Sequence, residues 1–128
     1  MIETGKKERK ELIVTNEMTA SKVGSGGLDV FATPALIALA EKTALESISA
    51  YLEEGQSTVG TKIEISHIAA TPVGMKVYCE TELVEIDRRR LAFSVNVYDE
   101  IEKVAVGTHE RFIVDDEKFM AKAEGKLG

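Results

Sequence analysis

The sequence predicts an α+β fold in which one long helix is wrapped by a curved antiparallel sheet, with the elements in the order β-α-β-β-β-β. One long segment has its apolar residues at helical spacing, and four later segments alternate between apolar and polar residues with the period of a strand. The connections between those four strands are short, which is typical of antiparallel hairpins. A chain of 128 residues is long enough for one core, so we expect one domain over residues 1–128.

The N-terminal part of the chain holds a predicted strand and a loop. Residues 8–15 (ERKELIVT) have the composition of a first short strand. Residues 16–30 are rich in glycine and serine, which favours a loop. Three glycines within four positions (Gly24, Gly26 and Gly27) would make it flexible enough to gate a ligand, although an ordinary connection is the simpler interpretation.

The helix is predicted over residues 34–52. Thr33 is expected to cap its free amide groups, and Pro34 suits the first helical position. An apolar stripe follows the helix at Ile37, Ala40, Ala44, Leu45, Ile48 and Leu52. Glu41 falls in the middle of this stripe, where a carboxylate is costly unless it finds a partner.

The four strands after the helix are predicted over residues 57–69, 76–86, 91–101 and 103–114. Alternation places the following side chains inward on the first three: Ile63, Ile65, His67, Val77, Cys79, Thr81, Leu83, Leu91, Phe93, Val95 and Val97. Asp115 or Asp116 is expected to cap a short closing helix that reaches about Lys122. A long apolar helix against such a sheet is the layout of the hot-dog fold, and a homodimer that continues the sheet would cover an exposed edge.

The last strand carries two further polar candidates. Its inward face is expected to be Val104, Val106, Phe112 and Val114. His109 and Arg111 would then lie on the opposite face unless a bulge at Gly107 re-aims them. His109 is interpreted as structural, whereas Arg111 would hold a ligand anion or pair with an acidic neighbour.

Glu41 and His67 are the two ionisable side chains that fall where apolar ones belong. The simplest partner for each is the other, since the helix covers the strand that carries His67. Such a pair on a helix-over-sheet scaffold favours acid–base or nucleophilic chemistry on a small ligand. Gly60, inside the same strand, predicts a bulge or the close approach of a ligand.

Composition excludes several classes of partner and site. The net charge of −6 disfavours nucleic acid, and no apolar run approaches the roughly 18 residues of a membrane span. The N-terminus has no apolar core of a secretory signal, and Cys79 is the single cysteine, so we expect a cytoplasmic protein without a disulfide or a metal site. Three side-chain amides among many charged residues are typical of thermophiles.

Several stretches resemble the hot-dog thioesterases related to fluoroacetyl-coenzyme A thioesterase. They are FATPALIALAE, YLEEGQSTVGTKIEISHIAATPVG, GTHERFIV and EKF, within residues 30–120. The resemblance implies that Thr33, Glu41 and His67 serve the active site and that Gly60 and Arg111 contact the substrate. It implies no cofactor. The loop at 16–30 lacks the phenylalanine-bearing lid of the fluoroacetyl-specific enzyme, so fluorine selectivity is not carried over.

The expected function is hydrolysis of a short acyl-coenzyme A thioester. Glu41 would attack the carbonyl or activate a water, His67 would manage the proton, and the Gly60 amide would stabilise the oxyanion. A non-catalytic acyl-CoA binding or sensing module is the alternative. A hot-dog hydratase is disfavoured because residues 29–52 contain no histidine. The turn Arg88-Arg89-Arg90 is either solvated or a contact for coenzyme A phosphates.

Overall fold

A computed structural model describes residues 2–128. The strands are β1 (Lys7–Ile13), β2 (Gln56–His67), β3 (Lys76–Asp87), β4 (Arg90–Asp99) and β5 (Lys103–Asp115). The helices are α1 (Ala20–Val23), α2 (Thr33–Ile48) and α3 (Asp116–Glu124), with short 3₁₀ turns at Asn16–Met18, Ser49–Tyr51 and Gly125–Leu127. The predicted order of one strand, one long helix and four strands is therefore confirmed.

The five strands form one antiparallel sheet in the order β1-β3-β4-β5-β2. Helix α2 packs on one face of it, mainly against β1 and β3. The core beneath the helix consists of two groups of buried side chains: Val14, Phe31, Leu36, Leu39, Ala40, Val77, Cys79, Val95, Val97, Val104 and Ala105, then Ala44, Ile48, Leu83, Leu91 and Phe93. The sheet leaves β1 and β2 as its edges.

Helix α2 differs from its prediction at both ends. The N-cap residue is Ala32, whose backbone is extended, so the predicted capping role of Thr33 is wrong. Thr33 is the first helical residue, and its side chain is thus free for another contact. The helix ends at Ile48, where the chain tightens into a 3₁₀ turn before Gly55.

Glu41 lies on the flank of the buried face of α2. The buried residues of the helix are Leu36, Leu39, Ala40, Thr43, Ala44, Ser47 and Ile48. Ile37, Glu41 and Leu45 form the neighbouring row, one turn apart, and all three are only partly buried. The Glu41 side chain is 43% exposed. Glu41 therefore lies one row away from its predicted place in the centre of the stripe. Its carboxylate is consequently accessible.

The inward face of β5 is correct at its start and wrong beyond it. Val97 pairs with Ala105, but Tyr98 pairs with Lys103, so Val104 is an extra residue in the ladder. Val104 and Ala105 are both buried, and the inward face then passes to odd-numbered positions. Val106 and Phe112 point outward, each about two-fifths exposed. The same bulge brings His109 and Arg111 into the interior.

A second bulge shifts the register of β2. Gly60 pairs with Arg111 and Lys62 with Glu110, which leaves Thr61 as the extra residue. Positions 60 and 67 differ in parity, so a regular strand would send them to opposite faces. The bulge lets Gly60 share a face with Ile63 and His67. The predicted inward alternation of the second half of β2 is confirmed.

The segment before α2 is more structured than its composition predicts. It contains the 3₁₀ turn and α1, whose N-cap Thr19 is fully buried. A backbone hydrogen bond from Phe31 to Thr71 ties its end to the loop between β2 and β3, and one from Ala32 to Met18 closes the segment on itself. No helix within residues 2–128 is long and apolar enough to cross a membrane.

Candidate active site

The first candidate group lies where α2 begins and β2 ends. The Thr33 hydroxyl and His67 Nδ1 are 2.8 Å apart and form a hydrogen bond. His67 is half-buried, and burial lowers the pKa of its imidazole, with the backbone of Ala69 opposing in part. Its Nε2 is buried and has no hydrogen-bond partner within residues 2–128. Thr33 therefore holds the ring at Nδ1, while Nε2 is buried.

A cavity of about 350 Å³ opens beside this pair. Its wall is formed by residues from α1, its flanking loop and the end of β2: Ala20, Ser25, Val30, Phe31, Ile68, Ala69 and Ala70. Most of these side chains are small and apolar. The cavity is an open cleft of mixed polar and apolar lining in contact with the Thr33–His67 pair.

The second candidate group lies near the other end of β2. The Glu41 carboxylate reaches from α2 to within 3.9 Å of Arg111 Nη1. The two groups meet over Gly60, where an added Cβ would lie 2.9 Å from Glu41 Oε2 and 3.4 Å from Arg111 Nη1. Only a residue without a side chain leaves the carboxylate and the guanidinium undisturbed there. A small cavity of about 210 Å³ adjoins Glu41 and Gly60.

Arg111 is buried and held by fixed partners. Its Nε donates to the Thr58 hydroxyl and its Nη2 to the Thr58 carbonyl, both at 2.9 Å. Nη1 lies 3.1 Å from His109 Nε2. Burial lowers the pKa of the guanidinium, and the Glu41 carboxylate opposes this. An arginine pKa is high enough for the charge to persist, so the cluster holds a fixed positive charge beside the carboxylate.

The structure groups the candidate residues differently from the sequence prediction. Glu41, Gly60 and Arg111 come together, and Thr33 joins His67. No hydrogen bond or ion pair links Glu41 to His67 in the described chain, so their direct pairing is wrong within one protomer. Contact between Thr33 and Glu41 is likewise absent in residues 2–128, in agreement with their spacing of two helical turns.

Two polar residues of the second group escaped sequence reasoning. The sequence gives no reason to single out Thr58, and it indicates no partner for His109. The placement of both residues depends on the bulges in β2 and β5. Neither bulge is marked in the sequence by a glycine at its extra position. The one available signal was the spacing of His109 and Arg111, two residues apart on one strand face.

Comparison with known proteins identifies the family. The model of the fluoroacetyl-CoA-specific thioesterase family FlK matches residues 14–117. The fluoroacetyl-CoA thioesterase of Streptantibioticus cattleyicolor is 39% identical over 98 residues, which cover 77% of this chain and 70% of that protein. The chain belongs to the fluoroacetyl-CoA-specific thioesterase family.

Solved structures agree with this assignment. A variant of the fluoroacetyl-CoA thioesterase in complex with acetyl-CoA superposes with a TM-score of 0.94 at 30% identity, covering 99% of this chain and 100% of that one. A hot-dog-like protein from Thermanaerovibrio acidaminovorans superposes with a TM-score of 0.90 at 22% identity, covering 98% and 93%. The second likeness concerns the fold alone, and the predicted hot-dog fold of this family member is confirmed.

The arginine turn is already paired with carboxylates. Arg88 contacts Asp87 at 3.4 Å, and Arg89 contacts Asp115 at 3.6 Å. Arg90 bridges Glu85 at 2.9 Å and Glu110 at 3.5 Å. These exposed or partly buried acids balance the charge of the turn, which favours the solvated interpretation over an anion site.

Proposed function

We propose that this thioesterase-family protein hydrolyses short acyl-coenzyme A thioesters, as its resemblance already implies. The observation that carries the proposal is the carboxylate of Glu41, accessible over Gly60 and 3.9 Å from a fixed guanidinium. A carboxylate in that position can attack a thioester carbonyl. The adjacent positive charge can stabilise the negative charge that develops on the carbonyl oxygen.

In the proposed reaction, Glu41 Oε attacks the thioester carbon, the C–S bond breaks, and coenzyme A leaves as a thiolate. Water then hydrolyses the acyl–glutamyl anhydride and restores the carboxylate. In the alternative route, Glu41 takes a proton from a water that attacks directly. The Gly60 amide would donate to the oxyanion, next to a bulge that interrupts the pairing of β2. His67, with Thr33, would supply the proton to the thiolate.

The proposal includes a homodimer with the active site near its interface. Gly60 and His67 lie on an edge strand about 23 Å apart at ~3.3 Å per residue, too far to act together in one chain. Antiparallel pairing of two β2 edges about a two-fold axis between Ile63 and Glu64 would place Gly60 opposite the partner's His67. The Glu41 and His67 groups would then meet across the interface.

Complementation tests the shared site. Glu41→Gln and His67→Asn should each abolish turnover, whereas their co-expressed mixture should recover about one quarter of it. About half of randomly paired dimers are mixed, and each mixed dimer holds one intact site of two. Recovery shows that the two residues act from different chains. A mixture as inactive as its parents contradicts the interface site, and a monomer by light scattering contradicts the dimer.

Thiol release from a panel of short acyl-CoA esters tests the activity itself. Glu41→Gln should lower kcat by about a thousandfold, since it removes the attacking group. Glu46→Gln, the same change one and a half turns along α2, is the matched control and should keep wild-type turnover. If the wild type binds acyl-CoA but releases thiol no faster than Glu41→Gln, the chain is a binding module and the hydrolase proposal is wrong.

The cytoplasmic location and thermostability expected from the sequence belong to the same proposal. Their support is the single cysteine and the low content of side-chain amides. A thermal midpoint above about 65 °C would support thermostability, and one of about 45–65 °C would contradict it.

A further inference from the structure

His109 is a buried imidazole with both ring nitrogens engaged. It is 1% exposed, and its Nδ1 lies 2.8 Å from the Lys62 carbonyl oxygen. A carbonyl can only accept, so Nδ1 carries the proton and donates it. In the neutral ring Nε2 is then a bare acceptor, and it faces Arg111 Nη1 at 3.1 Å. The Lys62 carbonyl therefore fixes the tautomer that can receive a hydrogen bond from arginine.

The Arg111 guanidinium has five N–H donors, three of which point at fixed partners. Thr58 receives two of them, through its hydroxyl and its carbonyl. His109 receives one hydrogen of Nη1. The second hydrogen of Nη1 remains for the space beside Glu41, whose Oε2 is 3.9 Å from this nitrogen. Without His109, Nη1 would lose the partner that sets its direction.

We propose that His109 is a positioning residue of this thioesterase: in its neutral Nδ1–H form it aims Arg111 Nη1 at the space over Gly60 where the substrate's developing anion would sit. The inference rests on the proposed function. His109 itself touches no substrate in this arrangement, and it acts through the direction of Arg111.

The surroundings of His109 favour the neutral ring. Burial lowers the pKa of the imidazole most, and the Arg111 charge adds to this, while the Lys62 carbonyl and the carboxylates of Glu41 and Glu110 oppose it. The uncharged ring of Phe93, from β4, stacks on the imidazole with 6.2 Å between the ring centroids. A protonated ring would present an N–H to the guanidinium and could not accept its hydrogen bond.

A purely structural role is the competing explanation, since His109 also anchors Lys62 beside the bulge of β2. The two roles use different nitrogens, so two amide variants separate them. His109→Asn places an amide nitrogen near the Nδ1 position and keeps a donor for Lys62, but it is too short to reach Arg111. His109→Gln places an amide oxygen near the Nε2 position and keeps an acceptor for Arg111.

The test measures kcat and KM with acetyl-CoA, together with the thermal midpoint, for both variants. A positioning role predicts that His109→Asn lowers kcat about tenfold or more, while His109→Gln stays within about threefold of the wild type. In an Arg111→Lys background, His109→Asn should cost no more than about twofold further. If His109→Gln is the more damaged variant, or if losses in kcat merely follow losses in thermal midpoint, the inference is wrong.

A readout without turnover keeps this test independent of the proposed function. Nitrogen-15 NMR of the wild type should show His109 neutral and protonated at Nδ1 at pH 7. In the wild type and in His109→Gln, the Arg111 guanidinium should rotate slowly, so that its side-chain N–H groups give separate signals. In His109→Asn, faster rotation should average these signals. A proton on Nε2, or unchanged Arg111 signals in His109→Asn, overturns the inference. A wild type with these NMR signals but no thiol release overturns only the hydrolase proposal.

Discussion

The two ends of β2 hold polar groups of contrasting construction. At the Gly60 end, Arg111 is buried and makes three hydrogen bonds to strand residues. At the other end, His67 has a single side-chain hydrogen bond, to Thr33, and lies beside a segment that contains several glycines. The Gly60 end is therefore the fixed end, because the sheet itself holds its charged group. The His67 end is the adjustable end, because it depends on a helix terminus and a loop. Substitutions at the two ends should consequently fail in different ways.

The bulge at Thr61 makes this contrast possible. It gives two positions of opposite parity the same orientation, so one strand serves both groups. The bulge in β5 does the same for the partner strand, since it turns His109 and Arg111 inward. Two extra residues thus create the buried charge cluster, and each is a local departure from regular strand geometry.

After the loss of the Glu41 carboxylate itself, the largest effect is expected from Gly60→Ala, which disturbs the group around Arg111. The new Cβ would lie 2.9 Å from Glu41 Oε2 and 3.2 Å from His109 Cε1, so the carboxylate must swing away. We expect kcat for acetyl-CoA to fall by about a hundredfold or more, with the fold retained because a flexible side chain can move. Thiol release and circular dichroism measure the two quantities.

Gly107→Ala is the matched control, because its added Cβ would clash with backbone atoms rather than with side chains. This Cβ would overlap the Glu64 carbonyl oxygen and lie 2.7 Å from Ile65 Cα, and these backbone atoms cannot swing aside. This variant should lose both stability and activity by opening the β2–β5 pairing. If Gly60→Ala unfolds in the same manner as Gly107→Ala, the glycine is structural and the fixed end has no separable catalytic role.

The division between regular and irregular geometry also explains what the sequence could predict. The order of elements, the inward faces of β3 and β4, and the closing helix α3 follow from periodicity and turn residues, and all are confirmed. Periodicity assumes an unbroken register. It therefore failed for β5 after Val104, where one inserted residue exchanges the two faces.

The candidate site shows the same pattern. Glu41 and His67 were identified because each interrupts an apolar row, and both do line cavities. Their partners were assigned wrongly, because a pairing across elements depends on the axial position of the helix over the strand. Neither Thr58 nor the tautomer of His109 has any signature in a single sequence, since both depend on which carbonyl or hydroxyl the bulges bring near.

A smaller effect is expected at the adjustable end, from Thr33→Ala. Removing the hydroxyl leaves His67 Nδ1 without its partner, so the ring loses its orientation. We expect kcat to fall about tenfold to thirtyfold with little change in thermal midpoint, because Thr33 is exposed and does not cap the helix. Thr33→Ser keeps the hydroxyl and should stay within about threefold of the wild type.

The result sharpens the comparison between the two ends. Arg111 side-chain NMR signals should be unchanged in Thr33→Ala, since no contact joins Thr33 to the fixed group in residues 2–128. An equal loss of activity in Thr33→Ala and Thr33→Ser would mean that the hydroxyl does not orient His67. The contribution of this end would then come from the shape of the helix start alone.

The smallest expected effect is on the pH dependence of the free energy of unfolding. His67 and His109, one at each end, should contribute unequally to it. Burial lowers the pKa of both His67 and His109 below the value of about 6.5 expected in the unfolded chain. As the pH falls through 6.5, the unfolded state binds protons that the folded state does not, so the free energy of unfolding decreases. The decrease stops once the folded histidines are protonated as well.

Thermal midpoints at pH 7.5, 6.5 and 5.5 measure this loss, at roughly 4 °C for each kcal/mol in a chain of this size. Asp99 does not interfere: burial opposes the shift, but the Ile101 and Glu102 amides and the Thr71 hydroxyl lower the pKa of its carboxyl, so its contribution is lost only in stronger acid.

His109→Gln should flatten the profile more than His67→Gln, because His109 is the more deeply buried ring. Equal flattening would mean that the two ends bury their imidazoles alike, and the contrast between a fixed and an adjustable end would then rest on hydrogen bonding alone.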